Sequence, residues 1–402
     1  MSHSLSGIRV VEWGELIAAA YCARLLGEFG AQVDKVEAPN GDSARGYGPF
    51  PGGIADPESS GIYVFLNGGK RSIVADAETA AGMQVLHGLI ARADVFVTNQ
   101  PIALRRRLGL DAAALRARYP GLIVVSLSIF GDSGPHAQVP AQAIDAYAAS
   151  GTAWVIGEPA REPLIVPLLQ ADYQAGAHAA AAALMALIAR RRRPQPGAAS
   201  AGESIDIASA DIFAAAAGSN GMIYLYYGLQ KWARAGRRAF ASGGPYPYVI
   251  LPCKDGAVCL IGRARHEWAR LVEAMGQPDW SADPRYQDLH AMGRDYPDEV
   301  DALITPWLMR HTRAELMRLA EQHGFPLGPL RTMAEVVASP QFAQRGFFRQ
   351  VPHAKHGAIT VPGVPWLRAD RQAPVPLAAP RLGQHTSEVL RELGLACEAV
   401  PA

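Results

Sequence analysis

The sequence predicts an α/β protein, with a parallel sheet in a large domain and a smaller α+β domain set into the chain. Three observations predict it. Short apolar strands alternate with helical stretches through residues 8–127, the order expected of parallel βαβ units. Residues 122–127 form a continuous apolar run of the kind buried on both faces of a sheet. The chain is 402 residues long, beyond the size at which a single core usually stops growing, so two domains are expected.

Residues 8–12 read as the first strand, followed by a turn at Trp13 and Gly14 and a helix over 18–29 that Gly30 closes. A second strand covers 31–36. Strand, helix and strand in so short a span require a crossover, which makes the strands parallel. The pattern recurs as a strand at 72–75, a helix at 78–92, a strand at 95–97, a helix at 110–119 and the apolar strand at 122–127. The sheet is therefore Rossmann-like. Its first βα turn, Trp13-Gly14-Glu15-Leu16-Ile17, lacks the G-x-G-x-x-G that admits a dinucleotide pyrophosphate. No nicotinamide or flavin site is indicated.

An Ala-rich helix over 175–189 runs into Arg190-Arg191-Arg192-Arg193, whose charges complement a helix C-terminus. A Pro/Gly/Ser loop at 193–202, a strand at 203–207 and a helix at 208–227 follow. The character then changes. A Gly/Pro loop at 242–247 precedes two strands, 248–252 and 257–262, joined through Lys254-Asp255-Gly256, an Asp-Gly hairpin signal. Helices are expected at 266–275, 296–309 and 313–323, giving a small α+β domain over 225–330. The tail from Pro340 is Pro-rich and strand-like, with a last helical turn or two at 387–393. It is expected to return to the large domain, which then comprises residues 1–210 and 335–402.

Composition narrows the function. The chain is 49% hydrophobic and 19% charged with a net charge of +1, so no global field draws it to nucleic acid or to an anionic membrane. Cys22, Cys253, Cys259 and Cys397 are scattered without a C-x-x-C pair, which indicates neither a zinc site nor a disulfide framework. The start, residues 1–7, shows no signal pattern. The apolar run at 175–189 is fifteen residues long, short of the roughly 20 needed to span a bilayer. A cytoplasmic protein without metal is expected.

Asp172 follows the apolar stretch 164–169 and precedes the Ala-rich helix. By itself it reads as an N-cap, a position Asp favours. The small residues Ala175, Gly176, Ala177, Ala179 and Ala180 leave room for another backbone or a ligand to approach.

Four stretches carry a resemblance that spans nearly the whole chain. They are residues 5–37; Leu66 to Ile73 with Val97-Thr98-Asn99-Gln100-Pro101 and Arg107-Leu108-Gly109-Leu110; Ala171-Asp172-Tyr173-Gln174-Ala175-Gly176; and the group Asp283-Pro284-Arg285, Gly328-Pro329, Ser339-Pro340-Gln341-Phe342 and Leu382-Gly383-Gln384-His385-Thr386. In this order they resemble the family III CoA transferases, the family of formyl-CoA, carnitinyl-CoA and bile-acid CoA transferases. The resemblance implies that Asp172 is a nucleophile that forms mixed anhydrides and an aspartyl-CoA thioester. It implies a covering lid at Gly243 and Gly244, and contacts to CoA from Ile17, Ala18, Asn67, Gly68, Gly69, Lys70, Asn99, Gln100 and Arg107. Coenzyme A and its thioesters are then substrates, with no permanently bound cofactor and with succinyl-CoA the default donor. A small carboxylic acid is the acceptor, and two subunits interlock as a homodimer.

The chain also departs from the family pattern. Ile17 stands where formyl-CoA transferase has a glutamine, Ala38 replaces an arginine, and no lysine lies near Val139-Pro140. Ile17 argues for a less polar acyl pocket than oxalate or formate needs, and Tyr246, Tyr248 and Trp154 lean towards a larger or aromatic acid. An α-methylacyl-CoA racemase is the nearest alternative, but its histidine position holds Gln142, followed by Ala143, and His136 lies at the wrong spacing. Gln is no general base. A non-catalytic CoA-binding protein is the other alternative, which the intact Asp172 segment disfavours. His385 is expected to serve the structure of the tail.

Overall fold

The computed structural model describes residues 4–192, 202–228, 234–239, 244–367 and 377–396. The chain forms two compact units, the first from residues 1–150, 167–216 and 340–402 and the second from 151–166 and 217–339. Residues 151–166, placed with the large domain by the sequence reading, fall in the second unit. The loop expected at 193–202 lies, but for Gly202, outside the described residues, as do Cys397 and Gly243.

The first unit opens with β1 (Arg9–Glu12), α1 (Ala18–Glu28) and β2 (Gln32–Glu37), then α2 (Gly61–Asn67), β3 (Arg71–Val74), α3 (Ala80–Ile90) and β4 (Val95–Thr98). It continues through α4 (Ile102–Arg107), α5 (Ala112–Arg118), β5 (Ile123–Ser128), α6 (Ala143–Ala149), α7 (Gln170–Arg192), β6 (Ser204–Ala208) and α8 (Ser209–Ala216). The six strands are ordered β3-β2-β1-β4-β5-β6, and every pairing is parallel. Alternation sends Val10, Val33, Val95, Val97 and Val125 to one face, against alanines of α1 and α7. Val11, Phe96 and Val124 meet Val85, Leu86 and Leu115 on the other face. The order reverses between β1 and β4. In open α/β sheets the crevice beyond the carboxyl ends of such strands is where ligands bind.

Helix α7 lies against α1 closely enough that a Cβ on Gly176 would fall 2.7 Å from the Ala18 carbonyl oxygen and 3.1 Å from the Cys22 nitrogen. Only glycine fits there.

Across β1, β2 and the start of β3 runs a buried charge cluster that the sequence reading did not foresee. Lys35 Nζ lies 2.6 Å from Glu12 Oε1 and 2.6 Å from Asp42 Oδ2. Lys70 Nζ lies 2.6 Å from Glu12 Oε2 and donates to the Ala20 carbonyl and Asn67 Oδ1, each at 2.8 Å. The four charges balance, which is what makes their burial tolerable. Burial alone would push the Glu12 carboxyl up, yet Lys35 and Lys70 hold it below its ordinary value. Beside the cluster, Arg45 forks onto Glu37, which also accepts from Tyr63 and Ser72.

Residues 340–402 belong to the first unit. After α15 (Pro340–Gln344), the strands β10 (Phe348–His353) and β11 (Gly357–Pro362) form an antiparallel hairpin, and α16 (Thr386–Leu393) closes the unit. His385 donates its N–H to the Ser72 carbonyl at 3.0 Å and accepts from Ser72 N through Nδ1 at 3.2 Å, while Thr386 Oγ1 accepts from Val74 N. These bonds satisfy the outer edge of β3, which would otherwise stand unpaired.

The second unit holds α9 (Gly218–Tyr227) and the sheet β7-β8-β9 (Tyr248–Cys253, Gly256–Ile261, Leu327–Pro329). It also holds α10 (Arg265–Ala274), α11 (Leu289–Asp295), α12 (Pro297–Leu308), α13 (Arg313–His323) and α14 (Met333–Val337). The hairpin turns at Lys254 and Asp255, with Cys253 paired to Gly256. The single helix expected over 208–227 is two, broken at Ala217 and divided between the units. The short helices α2, α4 and α6 and the strand β9 were not anticipated.

Lys35→Met strips Glu12 and Asp42 of a shared buried cation and is expected to destabilise the fold by about 3–5 kcal/mol. Arg107→Ala, which breaks only an exposed pair with Glu78, is expected to cost less than about 1 kcal/mol. Urea denaturation of both variants checks the contrast, and equal losses would contradict the assignment of the cluster to the core.

Candidate active site

Asp172 stands in the first turn of α7, one turn ahead of Gly176 on the same helix face. The contact that brings Gly176 onto α1 therefore sets Asp172 beside the start of α1. A cavity of about 710 Å³ opens there, lined by residues of the first unit alone. Asp172, Ile17, Ala18, Asn99, Gln100 and His136 are among them. It occupies the crevice beyond β1 and β4.

The Asp172 carboxylate has no hydrogen-bond partner among the described residues. Burial pushes it up to about 6. At neutral pH it is thus ionised, more basic than an ordinary aspartate, and uncommitted, the state a carboxylate nucleophile needs. The N–H groups of Ala18, Ala19 and Ala20 begin α1 and have no acceptor among the described residues, so the helix presents donors at this end. Leu16, on the cavity wall, has a φ of 56°, and Leu168, ahead of α7, has 63°. Such backbone is strained for a leucine and is held by its surroundings. At Leu16 the holding bond runs from its N–H to Asp42 Oδ1 at 2.9 Å, which ties the cavity wall to the buried charge cluster.

The residues expected to contact CoA divide into two groups. Ile17, Ala18, Asn99 and Gln100 line the cavity with Asp172. The Asn99 amide is spent on the protein: Oδ1 accepts from Glu15 N at 2.9 Å and Nδ2 donates to Glu15 O at 2.8 Å. Asn99 fixes the turn that presents Ile17 and Ala18. The Gln100 amide makes no hydrogen bond among the described residues.

The second group lies away from the cavity. Lys70 and Asn67 are buried, and the three Lys70 donors go to Glu12, Ala20 and Asn67. An ammonium so satisfied has no proton left for a phosphate. Gly68 and Gly69 serve close packing, since a Cβ on Gly68 would lie 2.6 Å from the Leu377 carbonyl oxygen and Gly69 N donates to Ala378 O at 3.0 Å. Arg107 does not line the cavity; it is exposed and pairs with Glu78. Of its neighbours, Arg106 donates to the Asp132 carbonyl on the wall at 3.4 Å, and Arg105 makes the fuller contact. Buried, it forks onto Asp132 and donates to the Gln100 carbonyl at 2.8 Å. Gly244 belongs to the second unit, where a Cβ on Gly293 would meet its carbonyl oxygen at 2.1 Å.

Two further residues bear on the site. His136, set aside for its spacing, shares the cavity with Asp172, and its ring packs on Phe130 at 5.5 Å. Tyr147 on α6 is buried, and its hydroxyl oxygen accepts from Ala171 N at 2.9 Å. Neither carries a local sequence signal, because loops and crossovers bring them there.

The family model described as CoA-transferase family III matches residues 5–386. The chain belongs to CoA-transferase family III. It is 31% identical over 398 residues to the succinate–glutarate CoA-transferase of Agrobacterium fabrum, covering 97% of this chain and 95% of that protein. It is 30% identical to the succinyl-CoA–D-citramalate CoA-transferase of Chloroflexus aurantiacus, covering 97% and 94% respectively. The crystal structure of a CAIB/BAIF family protein from Brucella suis superposes with a TM-score of 0.84 at 29% identity, covering 98% of this chain and all of that one. The protein is a CoA-transferase, and enzymes of this class take CoA thioesters as substrates. Among the described residues no helix is long and apolar enough to cross a membrane.

The raised pKa of Asp172 has a thermodynamic consequence. A carboxyl whose folded pKa lies above its unfolded value favours the fold at low pH, and that contribution is lost as pH rises through about 6. Asp172→Asn removes the buried charge and is expected to stabilise the protein by about 1–2 kcal/mol at pH 8, after discounting for partial exposure, and by much less at pH 4. Urea denaturation at the two pH values checks it; a variant less stable than wild type at pH 8 would contradict the desolvated carboxylate.

Proposed function

We propose that this transferase moves CoA from succinyl-CoA to a carboxylic acid acceptor through covalent intermediates on Asp172. The observation that carries the reading is an ionised carboxylate, unpartnered among the described residues, in a cavity that also takes in Ala18 at the start of α1. The Asp172 oxygen attacks the thioester carbonyl, and the C–S bond breaks to give a mixed anhydride and CoA thiolate. The thiolate attacks the Asp172 carbonyl, releasing succinate and leaving an aspartyl-CoA thioester. The acceptor carboxylate then attacks this thioester, expelling the thiolate and forming a second anhydride. Attack of the thiolate on the acceptor's carbonyl regenerates Asp172 and releases the new thioester. No net proton or electron is exchanged. Each tetrahedral oxyanion is stabilised by donors aimed at it, the role assigned to the first turn of α1.

The donor rests on relatives whose names specify succinate or succinyl-CoA. Ile17, buried on the cavity wall with Leu169 beside it, favours an acceptor with a less polar body than formate or oxalate. Asp172 and His136 in one cavity also favour a second reading, exchange of an α-proton on an acyl-CoA, with His136 as the base that Gln142 cannot be. Intact mass spectrometry after incubation with succinyl-CoA, with hydroxylamine or borohydride as trap, distinguishes them. A modification on the peptide containing Asp172, absent from Asp172→Ala together with turnover, is expected. Deuterium entering the α-carbon in D2O without any adduct would replace transfer by proton exchange.

We also infer a homodimer. In α9, Leu225, Tyr226 and Tyr227 are 76%, 73% and 72% exposed, an apolar concentration that surfaces of lone subunits seldom carry. Light scattering after size exclusion is expected to report twice the chain mass at micromolar concentration, and a monomer would refute the inference.

A further inference from the structure

Helices leave their first four N–H groups without intrahelical partners, and an Asp in the first turn is ordinarily drawn into bonding them. The start of α7 disposes of its four without using Asp172. Gln170 N donates to Leu168 O at 2.8 Å, while Asp172 N and Tyr173 N donate to Leu169 O at 3.2 and 3.4 Å. Ala171 N has no such neighbour. The residues before the helix, Leu168 and Leu169, carry no side-chain acceptor, and the N–H is taken instead by the Tyr147 hydroxyl, 24 positions earlier in the chain. Tyr147 is 1% exposed and is held edge-to-face against Phe213 of α8, with ring centroids 4.8 Å apart. Its oxygen is therefore fixed from two sides.

We propose that Tyr147 is a positioning residue for the transfer reaction: by accepting the Ala171 N–H it caps α7 from outside the helix and so keeps the Asp172 carboxylate free for the thioester. The inference rests on Asp172 being the nucleophile. Its physical content is a competition. Remove the phenol oxygen, and a buried N–H is left beside an unpaired acceptor, the Asp172 carboxylate, in the same turn. A buried donor without a partner is costly, so the turn rearranges to let the carboxylate accept it. A carboxylate that accepts a backbone N–H is less basic and is turned away from the cavity. The structural alternative is that Tyr147 merely fills space between α6, α7 and α8.

Tyr147→Phe separates the two, because it keeps the ring and deletes the oxygen. The titratable groups facing this turn among the described residues are Tyr147 itself, Tyr173, and Tyr21 from α1, which meets Tyr173 edge-on at 5.1 Å, with Tyr47, His136, Asp132 and Asp145 across the cavity. None of the others is altered. The expected result is a fall in kcat on the order of tenfold to a hundredfold, with KM for succinyl-CoA within about twofold. The acid limb of the kcat profile moves to lower pH. Phe213→Leu, which loosens the ring packing but leaves the hydroxyl, is expected to lower Tm without moving that limb. Should Tyr147→Phe fold poorly, the double variant Tyr147→Phe/Leu169→Ser carries the test, since serine ahead of the helix returns an acceptor to the same N–H. It is expected to restore the position of the acid limb.

A folded Tyr147→Phe with wild-type kcat and an unmoved acid limb would overturn the proposal, as would a folded double variant whose limb stays displaced. Wild-type protein that forms no adduct on Asp172 would instead overturn the nucleophile. The two failures are distinct because the second is read on the wild type alone.

Discussion

The geometry of the site hangs on the close passage of α7 over α1. Gly176 has no side chain to hold the helices apart, and the Ala18 carbonyl occupies the space that a Cβ would take. Because Asp172 precedes Gly176 by one turn, this contact also sets the carboxylate beside the donor end of α1. The pairs Val10–Val33 and Val10–Val95 place β1 centrally in the sheet, and the turn after β1 is pinned by Asn99, just past the end of β4. Three elements thus meet at the topological switch point, and the cavity is what remains between them.

The electrostatic arrangement supports this packing from beneath. Glu12, Lys35, Asp42 and Lys70 neutralise one another out of water, and Asp42 carries the constraint outward by accepting the N–H of Leu16. A leucine with positive φ does not persist unaided. Asp172 stands at the opposite extreme, a carboxylate with neither cation nor donor among the described residues, so that burial sets its basicity. Within one unit, the charges that build the fold are saturated and the charge assigned to chemistry is left unsatisfied.

Much of the sheet was legible because its strands are apolar on both faces and punctuated by glycine, as residues 122–127 show. The helix over 313–323 was legible to the residue because Thr312 and Glu315 form a capping box that fixes its start. The site was less so. Asp172 reads locally as a helix cap, and only the ordered run of motifs along the chain marked it for chemistry. Lys70 was expected near CoA only through the resemblance, and its ion pair was illegible because its partner Glu12 lies 58 positions away and cannot be paired with it by inspection. The short helices around 61–67, 102–107 and 143–149 have too few turns to display a period. The break at Ala217 lies inside an apolar run that reads as one helix.

The tail's attachment has a consequence for how the protein is made. Val389 and Leu390 belong to the same core as Val11 and Phe96, and His385 and Thr386 close the open edge of β3. On the ribosome, the sheet is therefore synthesised long before the segment that finishes it. Between those moments an apolar flank and an unpaired strand edge stand exposed while the whole second unit is translated. A nascent chain in that interval is a natural client for a chaperone, and a truncation that removes only the final helix should harm recovery of folded enzyme more than its small size suggests.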